Sequence, residues 1–251
     1  MERITSRTNP LMTHMRKLSS SAAYRREQGE FVCDSPKLLH EALQWHAELL
    51  AVVTTDGASL PVLPQGVRVV EVPEDVMASV SPMKTPQGVL FTCRLPETVL
   101  PQKLEGKCYM VLDGVQDPGN VGTIWRTADA FGCDGLVLLP GCADPYSPKT
   151  VRASMGAVFR SSVWTADPAE MKAALEKSGI PLYGAALRDD TLDARAVDYS
   201  RAALAIGSEG RGLSEEMLQL CSKTIRIPME EKCESLNAAI AATVLLWEAY
   251  R

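Results

Sequence analysis

The sequence predicts a two-domain α/β protein, and three observations carry that expectation. From Lys107 to the C-terminus, short apolar runs alternate with helix-type segments, the pattern of a buried parallel sheet covered by helices. Residues 31–95 alternate strand-like and helix-like stretches in the same way. Between the two lies RLPETVLPQKLEGK, whose two prolines and mixed charge suit a linker. The expected division is 1–95 for a smaller α/β domain, 96–105 for the linker and 106–251 for the larger domain. A chain of 251 residues that is 46% hydrophobic can fill two cores.

The chain opens with Arg3, Arg7, Arg16, Lys17, Arg25 and Arg26 and no acid between the first and the last. Such a run is either a solvated helix face or a patch that grips phosphates. FVCD follows as a strand, then SPKLLHEALQWHAE, where Ser35 can cap a helix and Pro36 suits its first turn. LLAVVTT, VRVVEV and GVLFTCRL are β-type runs. Beyond the linker, CYMVLDGV, DGLVLLPG, SSVWTA, PLYGAAL, RAALAIGSE and KTIRIPM are strands of a buried sheet. Asp167-Pro168-Ala169-Glu170 places a cap, a proline and a first-turn acid at the start of a helix that stops near Gly179. A last helix is expected from Ser235 to Tyr250, where four alanines and then Leu245, Leu246 and Trp247 make an apolar face wide enough for core or interface.

The opening MERITSRTNP lacks the apolar core of a secretory signal, and no stretch has the uncharged apolar length that spans a bilayer, so a cytoplasmic protein is expected. Cys33, Cys93, Cys108, Cys133, Cys142, Cys221 and Cys233 are odd in number and scattered, which reads as reduced thiols. His14, His40 and His46 all precede the segments rich in polar loops, and no cysteine cluster completes a ligand set; no metal is expected. A net charge of −5 argues against non-specific coating of nucleic acid but permits a local basic patch.

Three loops at strand ends are richer in glycine and polar residues than a connector requires. They are Asp117–Gly122, running into TIWRTADAFG; Ile206–Ser214; and Ile227-Pro228-Met229 with EEKCE, followed by Ser235-Leu236-Asn237. In an open α/β sheet, ligands bind beyond the carboxyl ends of the strands, where all three would fall. Any one of them suits an ordinary turn with a helix cap; three in one domain point to a ligand. No G-x-G-x-x-G follows the first strand and no phosphate loop is present, so a nucleotide-derived ligand needs another mode of binding.

LDGVQDPGNVGTIWRTADAFG resembles motif 1 of the SpoU (TrmH-like) branch of the SPOUT RNA 2′-O-ribose methyltransferases, with its N-x-G-x-x-x-R-x-A core at Asn120, Gly122, Arg126 and Ala128. AIGSEGRGLS resembles motif 2 and IPMEEKCESLNAAIAATVLLWEAYR motif 3. DPYSPKTVRASMGAVFR is also typical. The N-terminal SRTNP, FVCDSPKLLHEAL and TPQGVLF are similar to the L30e-like substrate-binding domain of rRNA-modifying members. The resemblance implies a deep C-terminal trefoil knot, S-adenosylmethionine as cofactor, RNA as substrate (rRNA before tRNA) and a homodimer. It puts Asn120, Arg126, Glu209, Ser235 and Asn237 at the active site. Cofactor contacts fall to Ile206, Gly207, Gly210, Ile227, Met229, Ser235 and Leu236, and RNA contacts to Arg126 and the N-terminal basic run.

The chain departs from the pattern at Glu231, where relatives often have glycine, at Asn237-Ala238-Ala239-Ile240, and at Asp34-Ser35, where many have Glu-Gly. A guanidinium is a poor base, so Arg126 is expected to grip the phosphate beside the target ribose. Asn120 and Asn237 can bond the ribose or orient Arg126, and Glu209 can pair with Arg126, take a substrate hydroxyl or form a surface ion pair with Arg211. Two other readings are an inactive RNA-binding relative and a SPOUT base methyltransferase.

Overall fold

A computed structural model describes residues 2–188, 190–230, 232 and 235–251. The chain divides into two compact units, residues 1–96 with 146–160 and residues 97–145 with 161–251. Among the described residues no helix is long and apolar enough to cross a membrane.

The first unit is built on β1 (Glu2–Arg3), β2 (Glu30–Asp34), β3 (Leu49–Thr55), β4 (Arg68–Val72) and β5 (Val89–Arg94), in the order β1-β4-β3-β5-β2. β3 and β4 are parallel, and β5 runs antiparallel to both its neighbours, β3 and β2. α1 (Pro10–Ser20) is capped by Asn9, whose Oδ1 accepts from the Leu11 N–H at 2.9 Å, and α2 (Ala22–Gln28) ends on left-handed Gly29. α3 (Pro36–Gln44) starts where the Ser35-Pro36 pair predicts, with Ser35 Oγ accepting from the Leu38 N–H at 3.2 Å. α4 (Glu74–Val80) completes the layer. Met12, Met15 and Leu18 of α1 bury against Val32, Val53, Val70 and Leu90 of the sheet, the main stabilising term for this half.

The second unit is an all-parallel sheet. In chain order it contains β6 (Cys108–Asp113), α5 (Pro118–Ala130) and β7 (Gly135–Leu138). After an excursion carrying α6 (Pro148–Ser154) come β8 (Val163–Thr165), α7 (Pro168–Ser178), β9 (Leu182–Ala185), β10 (Leu192–Asp193), β11 (Ala202–Gly207), α8 (Glu215–Leu220), β12 (Lys223–Arg226) and α9 (Ala238–Tyr250). The strand order is β10-β12-β9-β11-β6-β7-β8. The continuous apolar runs sit at its centre because both faces are covered; every residue of β7 and β11 is buried. The cap read at Asp167 is a full capping box, Asp167 and Glu170 bonding each other's backbone N–H at 2.8 and 3.1 Å, and α7 ends at Gly179. The last helix begins at Ala238 rather than Ser235, since Asn237 Oδ1 caps it from outside. α9 packs on α5 and β11, so the chain returns from β12, near one edge, to the middle of the sheet.

The excursion 146–160 belongs to the first unit. Its Tyr146 and Phe159 pack on Phe31 at ring separations of 5.0 and 6.3 Å, and Arg152 pairs with the buried Asp34 at 2.7 Å. Burial pushes the Asp34 carboxyl above its ordinary value, against the pull of Arg152. The six described cysteines are free thiols; Cys233 and Glu231 lie outside the described residues.

Candidate functional site

β12, β9 and β11 are neighbours, and their carboxyl ends open on a cavity of about 560 Å³, within the range of small-molecule sites. One wall is the end of β9 with Ala185, Ala186 and Leu187. A second is the loop from Ile206 to Leu213, and a third runs from Ile225 through Met229 to Ser235, Leu236 and the start of α9.

The loop after β11 is closed on itself, the Ser208 and Gly212 backbones bonding reciprocally at 3.0 and 2.9 Å. This closure requires Gly207, because a methyl there would overlap the backbone of Gly212 and Leu213. Asp113, at the end of β6, accepts from the Ser214 N–H at 2.7 Å and so ties the loop exit to the central sheet. Gly210, by contrast, faces open space.

Polar side chains from the three loops meet. Asn120 Nδ2 donates to Glu209 Oε1, and Asn237 Nδ2 donates to Asn120 Oδ1 at 3.4 Å. Both asparagines are held by helix starts: the Asn120 N–H donates to Asp117 Oδ1 at 3.0 Å, and Asn237 Oδ1 accepts from Ala239 and Ile240. Glu209 also lines the cavity, so this polar chain leads from the cavity wall to α5.

Arg126 stands apart from it. Six residues beyond Asn120 on a helix, it is rotated by about 240°, is exposed, and makes no hydrogen bond or ion pair among the described residues. Among the described residues neither a Glu209–Arg126 nor a Glu209–Arg211 pair forms; the Glu209 carboxylate bonds Asn120 instead. Arg211 is likewise exposed without such a partner among the described residues.

Ile206, Gly207, Gly210, Ile227, Met229, Ser235 and Leu236 all line the cavity. No motif marks the β9 wall, although PLYGAAL carries two alanines before its final leucine at the carboxyl end of the strand, small enough to let a flat ligand lie close. Leu187 is 70% exposed there and lines the cavity.

The N-terminal basic run is not an acid-free surface. Arg3 pairs with Asp56 and Glu71 at 2.9 and 3.0 Å, and Arg7 with Asp75 at 2.7 Å, because the sheet brings later acids beside early arginines. Arg25 is only 4% exposed and donates to the Leu18 carbonyl, so it braces α1 against α2 and is no phosphate contact. Arg16 bonds the Arg7 carbonyl at 2.6 Å, Lys17 lies 5.3 Å from the Tyr24 ring centre, and Arg26 is exposed. Among the described residues no group of His, Cys, Asp and Glu side chains could hold a metal ion.

Residues 107–247 match the model of the SpoU rRNA Methylase family, and residues 9–90 that of the MRM3-like substrate binding domain. The chain is 30% identical to the 23S rRNA (guanosine(2553)-2′-O)-methyltransferase RlmP of Bacillus subtilis over 98% of both sequences. It resembles the crystal structure of the AdoMet-bound rRNA methyltransferase from Sinorhizobium meliloti, with a TM-score of 0.86 and 32% identity, over 99% of this chain and 97% of that one. The SpoU methyltransferase AviRb from Streptomyces viridochromogenes, in complex with the cofactor AdoMet, matches at a TM-score of 0.88 and 26% identity over 97% of each chain. The matched family segment contains the cavity and all three loops that line or reach it, and the chain belongs to the SpoU rRNA methylase family.

Proposed function

We propose that this chain is an S-adenosylmethionine-dependent RNA 2′-O-ribose methyltransferase acting on ribosomal RNA. The observation that carries the reading is the Glu209–Asn120–Asn237 chain on the wall of a cofactor-sized cavity. The cavity suits this cofactor: Ala185, Ala186, Leu187 and Ile225 give an apolar wall for a purine, while the Gly207–Gly212 loop exposes backbone groups. When bound, S-adenosylmethionine supplies an electrophilic methyl group on a sulfonium. Asn120 and Asn237 offer amides to the ribose, Glu209 takes a substrate hydroxyl bond, and Ser235 adds a hydroxyl at the rim. Arg126 keeps its proton and grips the adjacent phosphate through its fork, so the 2′-hydroxyl proton leaves to water. These contacts fix the oxygen in line with the methyl group, which is where the rate gain lies.

On this reading residues 1–95 bind RNA, 96–105 link, and 106–251 form the methyltransferase domain with the trefoil knot, in a cytoplasmic protein. The working form is a homodimer. Ile240, Trp247 and Tyr250 of α9 are each at least half exposed, and Phe131 at the end of α5 lies 5.6 and 5.5 Å from the Trp247 and Tyr250 rings, an apolar patch that a second copy would bury. The same copy would deliver the Arg126 that its own chain leaves apart.

The test is incubation of the protein with labelled cofactor and rRNA or tRNA from a strain lacking the gene. Label in rRNA that resists alkaline cleavage at one linkage is expected; label on a base overturns the reading. For the dimer, mixing inactive Arg126→Ala and Asn120→Ala chains should restore up to about one quarter of wild-type activity, since half the dimers then hold one complete site. No recovery would assign Arg126 to its own chain.

A further inference from the structure

Trp45 is the one exposed side chain among the described phenylalanines, tyrosines and tryptophans of the first unit. It ends α3, where its N–H donates to the Glu41 carbonyl at 3.0 Å and the next residue, His46, takes the left-handed conformation with φ 54°. That turn fixes the backbone from which the indole projects. Arg160 lies beside the ring, its guanidinium carbon 6.0 Å from the centre, and is itself held by an ion pair to Glu41. Gly156 makes room for that pair, since a side chain there would strike both Arg160 Nη1 and Glu41 Oε2 at 2.8 Å. A 47% exposed tryptophan braced by an arginine is costly to leave in water and is organised before any partner arrives. The exposed polar positions along α3 are Gln44, His40 and Lys37, the last about two turns from Trp45, with Glu41 already neutralised. Among the described residues of α3 this leaves one cation with no ion pair and hydrogen-bonding side chains but no unpaired carboxylate, which suits a polyanion.

We propose that Trp45, braced by Arg160, is a stacking platform for an unpaired nucleobase of the RNA substrate, with Lys37 toward the flanking phosphate. The inference rests on the RNA methyltransferase reading and adds where, and how, the first unit holds its substrate. Sequence-specific RNA recognition favours splayed bases on aromatic faces, and one such contact changes affinity by about tenfold or more. The N-terminal basic run, partly neutralised at Arg3 and Arg7 and buried at Arg25, does not supply this.

The experiment uses the full chain as wild type, Trp45→Phe and Trp45→Leu. Anisotropy is measured with an unstructured ten-nucleotide RNA and with a blunt RNA duplex, alongside turnover on rRNA and cofactor affinity by calorimetry. Trp45→Leu is expected to lose about tenfold in affinity for the single strand and to raise KM for rRNA with kcat unchanged. Phe should restore most of the loss, and duplex and cofactor affinities should not move. Unchanged single-strand binding in Trp45→Leu overturns the platform and leaves Trp45 to a protein partner. A Phe variant as weak as Leu, or an equal loss on the duplex, also overturns it, because stacking would then not be the cause. A wild type that binds cofactor yet methylates no RNA defeats the functional reading itself.

Discussion

In the first unit Arg3 is matched by Asp56 and Glu71, Arg7 by Asp75 and Arg152 by Asp34, whereas in the second Arg126 and Arg211 reach solvent with no such partner among the described residues. The contrast separates charge already paired within the fold from charge left to solvent. Exposed pairs such as Arg7–Asp75 add little stability, but each cancels most of the field that a phosphate would feel. An unpaired guanidinium on a helix keeps its whole fork for a ligand.

Arg126 tests the contrast with the largest effect. Arg126→Ala and Arg126→Lys should each lower kcat on the order of 100-fold or more, as removing a charge-stabilising donor does, with cofactor affinity by calorimetry within about twofold. Near-normal turnover in the lysine variant would mean that charge without the fork suffices.

The glycines of the motif 2 loop sharpen it. Gly207→Ala should abolish measurable cofactor binding, since its methyl overlaps the Gly212 backbone, while Gly210→Ala, whose methyl meets no protein atom, should leave the loop closed and cost far less affinity. Equal affinities in the two variants would disprove the tight closure. Leu187→Ala should weaken the cofactor by about tenfold, the value of covering one leucine, and leave kcat intact; a kcat effect without a KM effect would move Leu187 out of the cofactor wall.

For the first unit the comparison predicts an asymmetry in salt dependence. Replacing Arg16, Lys17 or Arg26 by alanine should reduce the log–log salt slope of RNA binding by roughly 0.7 to 0.9 each, and replacing Arg3 or Arg7 should reduce it less. The opposite ranking would show that the ion pairs open on binding. Point substitutions are preferable to removing residues 1–95, which would strip Phe31 from Tyr146 and Phe159. The smallest effect concerns Asp34. Its folded-state value is raised, so its contribution to stability is complete below the ordinary aspartate range and is lost as pH rises through the folded value. The stability of wild type over Asp34→Asn, followed by thermal melts, should therefore fall as pH is raised toward neutral; a rise would mean that Arg152 outweighs burial.

Much of the fold is local and could be read directly. Ser35-Pro36 and Asp167-Pro168 start helices because a short polar side chain satisfies free N–H groups within three residues, and the apolar runs of β7 and β11 read as buried strands because both faces are covered. The two-residue strands β1 and β10 carry no such signal; they exist only because β4 and β12 offer them an edge. The start of α9 was misplaced by three residues because Asn237 can begin a helix or cap it, and its side chain decided for the cap.

The candidate site divides in the same way. Sequence by itself marked the loops that line or reach the cavity, because three strand ends in one domain carry glycine with asparagine or serine, and it determined the residue types available for the chemistry. Tertiary structure alone decided their partners. It bonded Glu209 to Asn120 rather than to either arginine, buried Arg25 beneath α1, and placed acids from 53 to 68 residues away beside Arg3, Arg7 and Arg68. It also added the Ala185–Leu187 wall from a strand with no motif. A side-chain contact depends on distances set by sheet order and helix rotation, and two residues far apart in the chain carry no local mark of the neighbour that the fold will give them.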